Sequence, residues 1–175
     1  MINYIEHNEG INILSQLLLE ERLIPIFGAG FSKSSPSANG FVPDGEECTE
    51  LMKTLIKKYV TGIDDTVLAS YNFNDTAKRF KKSVPHFIPE SKYLEFFKNN
   101  FTEVKLSQIK ENFLRLPWPF AFTINIDDGI ENTNLFNSIL PYQNARKNYS
   151  NNKHSLFKLH GDAKYELQYK QENNI

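Results

Sequence analysis

The sequence predicts an α/β domain in which a parallel sheet carries helices on both faces. Three short apolar runs are typical of buried strands, at residues 23–27, 120–124 and 156–159. Helical patterns separate the first two runs, and each of the three runs ends in a cluster of small or polar residues. Ligands bind outside the carboxyl ends of the strands in an open parallel sheet, so three such clusters on one edge would form one site. The arrangement is Rossmann-like, and 175 residues are enough for a single domain of this kind.

The first part of the chain predicts helix, strand, loop and helix in that order. Leucine and isoleucine recur at helical spacing over residues 9–22. The following strand contains Pro25, which lacks an N–H and is tolerated only near the start of a strand or at a bulge. Residues 33–45 are rich in turn-forming residues, which predicts a mobile loop. A second helical face follows it, formed by Leu51, Met52, Leu55, Ile56 and Tyr59.

The middle of the chain predicts a helical insertion beside the sheet, from about residue 60 to 115. This region lacks strand alternation, and its apolar patterns indicate short helices with breaks at Pro85 and Pro89. The Asn-rich stretch 144–153 predicts a surface loop. Residues Tyr165–Tyr169 are a candidate for one more strand.

Composition excludes several classes of function. A net charge of −1 lacks the excess of basic residues that direct nucleic-acid binding needs. The densest basic run is predicted to be a solvated helix face, and it consists of Lys78, Arg79, Lys81 and Lys82. The single cysteine, Cys48, can form neither an internal disulfide nor a Cys₄ zinc site, so we expect it to pack as a small apolar residue in a helix. There is no secretory signal and no apolar run of the ~20 residues that a membrane-spanning helix needs. We therefore expect a soluble, cytoplasmic protein.

The three strand-end clusters are the candidate chemistry. Gly28–Ser32 could bring backbone N–H groups close to a pyrophosphate, although a plain strand-to-loop turn explains two glycines equally well. Thr123–Asp127 alternates polar and apolar residues, and its other interpretation is a strand ending in an Asx turn. Lys158–Asp162 holds His160, which could titrate in a cleft, although a lone histidine is more often structural.

Taken in order, Gly28-Ala-Gly-Phe-Ser32, Thr123-Ile-Asn-Ile-Asp127 and Lys158-Leu-His-Gly-Asp162 resemble the motifs of the sirtuin family. They are most similar to the sirtuin-like NAD hydrolases of bacterial antiphage defence, and the resemblance covers residues 23–162. It implies an NAD⁺ hydrolase that cleaves the nicotinamide–ribose bond, with NAD as substrate and without zinc.

The resemblance also implies roles for individual residues. His160 would be the general base, Asn125 would place water beside the nicotinamide ribose, and Asp127 would bond the nicotinamide carboxamide. The residues implied to contact NAD are Gly28, Ala29, Gly30, Phe31, Ser32, Pro43, Asp44, Thr123, Asn125, Asp127, His160 and Gly161.

The chain also departs from the sirtuin pattern. Ile124 stands where deacylating sirtuins have glutamine, and a single cysteine cannot supply their zinc module. Both departures favour NAD hydrolysis over protein deacylation, and a protein deacylase or ADP-ribosyltransferase is a further alternative. Because the family's fold continues beyond the histidine motif, we expect its C-terminal strands to be missing here. An inactive NAD or ADP-ribose-binding module is therefore the main alternative. The resemblance further implies a homo-oligomer, or a sensor domain that is fused to the enzyme or supplied by a partner.

Overall fold

The structure is a computed structural model that describes residues 5–84, 86–141, 143 and 153–173. It has an α/β fold built on a four-stranded parallel sheet flanked by helices, as the sequence predicts. The helices are α1 His7–Leu19, α2 Ala29–Ser32, α3 Gly45–Tyr59, α4 Asp65–Ser70, α5 Phe73–Ser83, α6 Glu90–Phe101, α7 Gln108–Leu114 and α8 Ala163–Asn173. The strands are β1 Ile26–Phe27, β2 Pro36–Ser37, β3 Gly40–Phe41, β4 Phe120–Thr123, β5 Phe136–Ile139 and β6 His154–Lys158.

The main sheet has the strand order β1-β4-β6-β5, and each neighbouring pair is parallel. Thr123 of β4 lies between Phe27 of β1 and Lys158 of β6 in the register of the sheet. The strand β1 is only two residues long because Pro25 precedes it, and the Pro25 carbonyl still accepts a hydrogen bond from the Phe122 N–H at 3.0 Å. The carboxyl ends of β1, β4 and β6 therefore meet at one edge.

Local signals place most of the helices. The capping box of Asp44 and Glu47 starts α3, with lysines in its last turn. The side chain of Asn72 caps α5, and Pro89 occupies the N-cap of α6, so the predicted break at Pro89 is confirmed. The predicted break at Pro85 lies outside the described residues. Helices α4 to α7 occupy the stretch between residues 60 and 115, where short helices are predicted.

The core lies between the sheet and these helices. Cys48 is buried in α3, as predicted for a small apolar residue. An aromatic cluster joins α5 to α6, formed by Phe80, Tyr93, Phe96, Phe97 and Phe101. The predicted helix near the N-terminus is present as α1, but none of its residues is buried. In the basic run of α5, Lys78, Lys81 and Lys82 are exposed and Arg79 is half-buried.

Three secondary-structure predictions are wrong or incomplete. The candidate strand Tyr165–Tyr169 is part of α8, which contains many good helix formers and starts where the Asp162 carboxylate accepts a hydrogen bond from the Tyr165 N–H at 2.9 Å. The strand β5 is not predicted by the sequence, because Asn137 and Ser138 interrupt its apolar run. The predicted loop 33–45 contains the antiparallel hairpin β2–β3. The predicted Asn-rich surface loop lies outside the described residues except for Lys153.

Candidate functional site

A cleft of about 350 Å³ lies at the carboxyl ends of β1, β4 and β6. All three side chains with a predicted catalytic role line it: Asn125 and Asp127 after β4, and His160 after β6. Its full lining is Ala29, Val42, Pro43, Asp44, Gly45, Cys48, Phe73, Phe97, Phe101, Ile124, Asn125, Ile126, Asp127 and His160. Its volume lies within the range of small-molecule sites, about 300–1,000 Å³.

The glycine-rich segment forms one side of the site, but only Ala29 from it lines the cleft. Phe31 packs on Phe27 with ring centroids 4.5 Å apart, and Ser32 is fully buried. Neither Gly28 nor Gly30 has a positive φ. A Cβ atom at Gly30 would meet no atom within 4 Å, so the protein's own packing does not require glycine there.

Thr123 fixes the end of β4 rather than facing the cleft. Its Oγ1 donates to the Phe27 carbonyl at 3.1 Å and accepts from the Asn125 N–H at 3.0 Å. The side chain is almost completely buried and does not line this cleft. Thr123 instead sets the direction in which the chain leaves the sheet.

Asn125 links this turn to the glycine-rich segment. Its Nδ2 donates to the Gly28 carbonyl at 3.0 Å and to Ser32 Oγ at 3.2 Å. No donor among the described residues reaches its Oδ1. Ser32 therefore acts as a hydrogen-bonding partner beneath the cleft, and Asn125 keeps one oxygen for a ligand or water.

Asp127 is a buried carboxyl group on the cleft wall, with 5 % of its surface exposed. Burial raises its pKa above the ordinary value, although the Gly129 N–H at 2.9 Å, Ser32 and Lys158 favour the charged form. A carboxyl group in this environment is suited to accept hydrogen bonds from an amide.

His160 lies in the turn after β6 and is exposed to solvent and the cleft. The next residue, Gly161, has a φ of +98°, a conformation that favours glycine and lets the chain turn from β6 into α8. Gly161 does not line the cleft, so its contribution is the shape of the turn.

Pro43 and Asp44 line the cleft where the chain passes from the hairpin β2–β3 into α3. The Asp44 carboxylate caps α3 through the N–H groups of Glu46 and Glu47, and it pairs with Lys33 at 2.5 Å. The bond to Lys33 is the main cause that lowers the pKa of Asp44. Because these structural contacts occupy the carboxylate, helix capping explains Asp44 without a ligand.

Two features of the site are not predicted by the sequence. The first is an apolar wall from the inserted helices and the end of β4, formed by Phe73, Phe97, Phe101 and Ile124. No local pattern distinguishes these phenylalanines from core residues. The second is a buried ion cluster of Lys158 with Glu131 and Asp162, at 2.7 Å each. The sequence does carry one sign of this cluster: Lys158 follows Leu156 by two residues, so both side chains lie on the buried face of β6.

The structure thus brings together half of the twelve residues implied to contact NAD: Ala29, Pro43, Asp44, Asn125, Asp127 and His160 line the cleft. The other six do not line it; they are Gly28, Gly30, Phe31, Ser32, Thr123 and Gly161. Within the described part of the chain, no group of three or more histidine, cysteine, aspartate or glutamate side chains is placed to hold a metal ion. No helix there is both long and apolar enough to cross a membrane.

Comparison with known proteins adds no assignment. No family model matches the chain, and no curated protein is significantly similar to it in sequence.

Proposed function

We propose that this protein is an NAD⁺ hydrolase. It would bind the nicotinamide–ribose half of NAD in the cleft and break the bond between nicotinamide and ribose. One observation carries the proposal: His160, Asn125 and Asp127 come from the ends of two different strands and line the same cleft. The hydrogen bonds from Asn125 to Gly28 and Ser32 connect these residues to the glycine-rich segment. The open space at Gly30 is compatible with close approach of a phosphate to the backbone.

The proposed chemistry suits these side chains. Nicotinamide is a cationic leaving group, so the bond breaks through an oxocarbenium-like transition state. Asp127 would hold the carboxamide, and Asn125 would place the attacking water through its available Oδ1. The imidazole of His160 would take a proton from this water or from a ribose hydroxyl, a contribution of typically ~10²–10⁴ in rate. The products would be nicotinamide and ADP-ribose.

The apolar wall has a role in the same scheme. Phe73, Phe97 and Ile124 line the cleft together with Asp127 and can receive the flat nicotinamide ring. Excluding bulk water around the reacting bond would strengthen the polar contacts of Asp127 and Asn125. By depleting NAD the enzyme would stop metabolism in an infected cell, which is the physiological role we propose in antiphage defence.

A second candidate function is an NAD or ADP-ribose-binding module without turnover. One observation favours it: no described residue forms a hydrogen bond with the imidazole of His160. A general base is normally oriented by a third group, and no described residue orients this ring.

The decisive experiment measures nicotinamide released from NAD⁺ by the purified protein, alongside H160A and N125A. We expect H160A to lower kcat by at least ~10²-fold while NAD binding, followed by calorimetry, changes little. An equal loss of NAD binding in H160A and in G30A would contradict the catalytic role of His160. NAD binding without any nicotinamide release would support the binding module.

A matched control is H154A, because His154 is an exposed histidine at the start of β6, the opposite end of the strand from His160. We expect H154A to release nicotinamide like the unmodified protein. If H154A and H160A lose activity equally, the loss reflects damage to β6 and not the chemistry of the cleft.

A further inference from the structure

Lys158 is the most unusual residue near the site, because its charged side chain is fully buried at the end of β6. It lies beside Thr123 in the sheet register, outside the lining of the cleft. Lysine is almost never buried unless it is paired, so its partners should explain its position.

The ammonium group of Lys158 contacts both turns that carry the predicted catalytic residues. On the β4 side it donates to the Asp127 carbonyl at 2.6 Å, to the Ile126 carbonyl at 3.4 Å and to Glu131 Oε1 at 2.7 Å. On the β6 side it pairs with Asp162 Oδ2 at 2.7 Å, two residues beyond His160. One side chain thus joins the turn that carries Asp127 to the turn that carries His160.

Two backbone hydrogen bonds run parallel to this connection. The Leu159 N–H donates to the Thr123 carbonyl at 2.9 Å, and the Ala163 N–H donates to the Ile126 carbonyl at 2.9 Å. The Ile126 carbonyl is therefore shared between Lys158 and the first residue of α8. These two bonds form only when the two turns lie at the distance that Lys158 also bridges.

The charges of the cluster keep Lys158 protonated. Burial by itself lowers the pKa of Lys158, but the adjacent Glu131 and Asp162 carboxylates outweigh it and the pKa is raised. The two carboxylates are mostly buried as well, so the lysine is their counter-ion. A charged ammonium with four acceptors makes strong, directional bonds to both turns.

We infer that Lys158 is a positioning residue: it holds the Asp127 turn and the His160 turn at the spacing that the reaction requires. This inference rests on the proposed function, in which Asp127 holds the nicotinamide and His160 acts on the ribose or on water. No hydrogen bond or ion pair links the Asp127 and His160 side chains directly, so their relative position depends on what joins their turns. A displacement of ~1 Å between such groups can lower the rate about 10²-fold.

The test must separate positioning from folding. The single variant K158M leaves two mostly buried carboxylates without a counter-ion, and we expect it to fold poorly. The triple variant K158M/E131Q/D162N removes all three charges together, and the asparagine that replaces Asp162 can still cap α8. The matched control is K164M, which breaks the ion pair of Lys164 with Asp128 at 2.8 Å and does not touch the turn of His160.

Steady-state nicotinamide release is measured for the unmodified protein, the triple variant and K164M, at a temperature where circular dichroism shows each of them folded. We expect the triple variant to lose about 10²-fold in kcat, with a KM for NAD within about three-fold of the unmodified protein. K164M should keep its kcat within about two-fold. An unchanged kcat in the folded triple variant overturns the inference, and so does an equal loss in K164M.

Hydrogen exchange keeps the inference separate from the proposed function. If the unmodified protein releases no nicotinamide, the proposed hydrolase activity is refuted. Hydrogen exchange at the amides of Leu159 and Ala163 then still tests whether Lys158 connects the two turns. Faster exchange at these two amides in the triple variant, with α3 unchanged, supports Lys158 as the connection between the turns. Unchanged exchange at both amides overturns it.

Discussion

Replacing Asp128 by alanine should strongly destabilise the fold, because its buried carboxylate accepts several hydrogen bonds at the edge of the site. The Asp128 carboxylate is 1 % exposed and accepts from the N–H groups of Glu103 and Val104 at 2.9 Å each. It also accepts from Asn132 Nδ2 at 2.9 Å and pairs with Lys164 at 2.8 Å. These contacts attach the end of α6 to the turn after β4.

The magnitude follows from the groups that D128A would leave without partners. The buried Val104 N–H loses its acceptor, at a cost of ~1–3 kcal/mol, and the bond of Glu103 to a charged acceptor contributes a further ~1.5 kcal/mol. Glu103 has a φ of +58°, a strained conformation for a residue with a side chain, which Asp128 helps to hold. The exposed Lys164 adds at most ~1 kcal/mol. The sum is about 4 kcal/mol, a large part of the ~5–15 kcal/mol of a typical domain.

Urea unfolding followed by circular dichroism measures the effect. With a slope of ~2 kcal/mol/M, the loss should lower the midpoint by about 2 M. The control is D65A, because Asp65 pairs with Lys57 at 2.9 Å on the surface, where an ion pair contributes under ~1 kcal/mol. A midpoint shift for D128A no larger than that for D65A would refute the assignment of Asp128 as the attachment of α6.

Three further outcomes follow from the same region. Burial raises the pKa of Asp127, so ionisation of this carboxyl group destabilises the folded state as pH rises from the unfolded pKa to the raised one. D127N should therefore be more stable than the unmodified protein in urea unfolding at pH 7, with a smaller difference at pH 4, and it should lose nicotinamide release. A less stable D127N at pH 7 would contradict this. A Cβ at Gly129 would lie 2.9 Å from Asp127 Oδ1 and from Val104, so G129A should cost ~1–3 kcal/mol, whereas G10A, with open space, should not. Burial raises the pKa of Cys48 to about 12, which leaves a thiolate fraction of ~10⁻⁴ at pH 8. Iodoacetamide followed by mass spectrometry should therefore label Cys48 in urea and not in the folded protein, and rapid labelling of the folded protein would contradict this.

The amino-acid sequence determined the sheet edge at which the candidate site lies. Apolar runs that end at Gly28, Asn125 and His160 are typical of strands whose carboxyl ends carry polar residues, and a parallel sheet brings such ends to one edge. The breaks and caps of the helices are also local: Pro89 and the pair Asp44–Glu47 act within one turn of the chain. These signals predict the α/β fold and the location of the cleft.

Tertiary structure decided which side chains enter the cleft. Thr123 and Ser32 belong to the predicted clusters, yet they are buried because Phe27 and Asn125 offer them hydrogen bonds across the sheet edge. Lys158 is a strand residue whose partner Glu131 becomes its neighbour only when β4 and β6 pair. Contacts between residues distant in the chain leave no periodic pattern in the sequence, whereas alternation, caps and turn residues do. The sequence therefore predicts where the cleft lies, and the packing of the strands and inserted helices determined which residues line it.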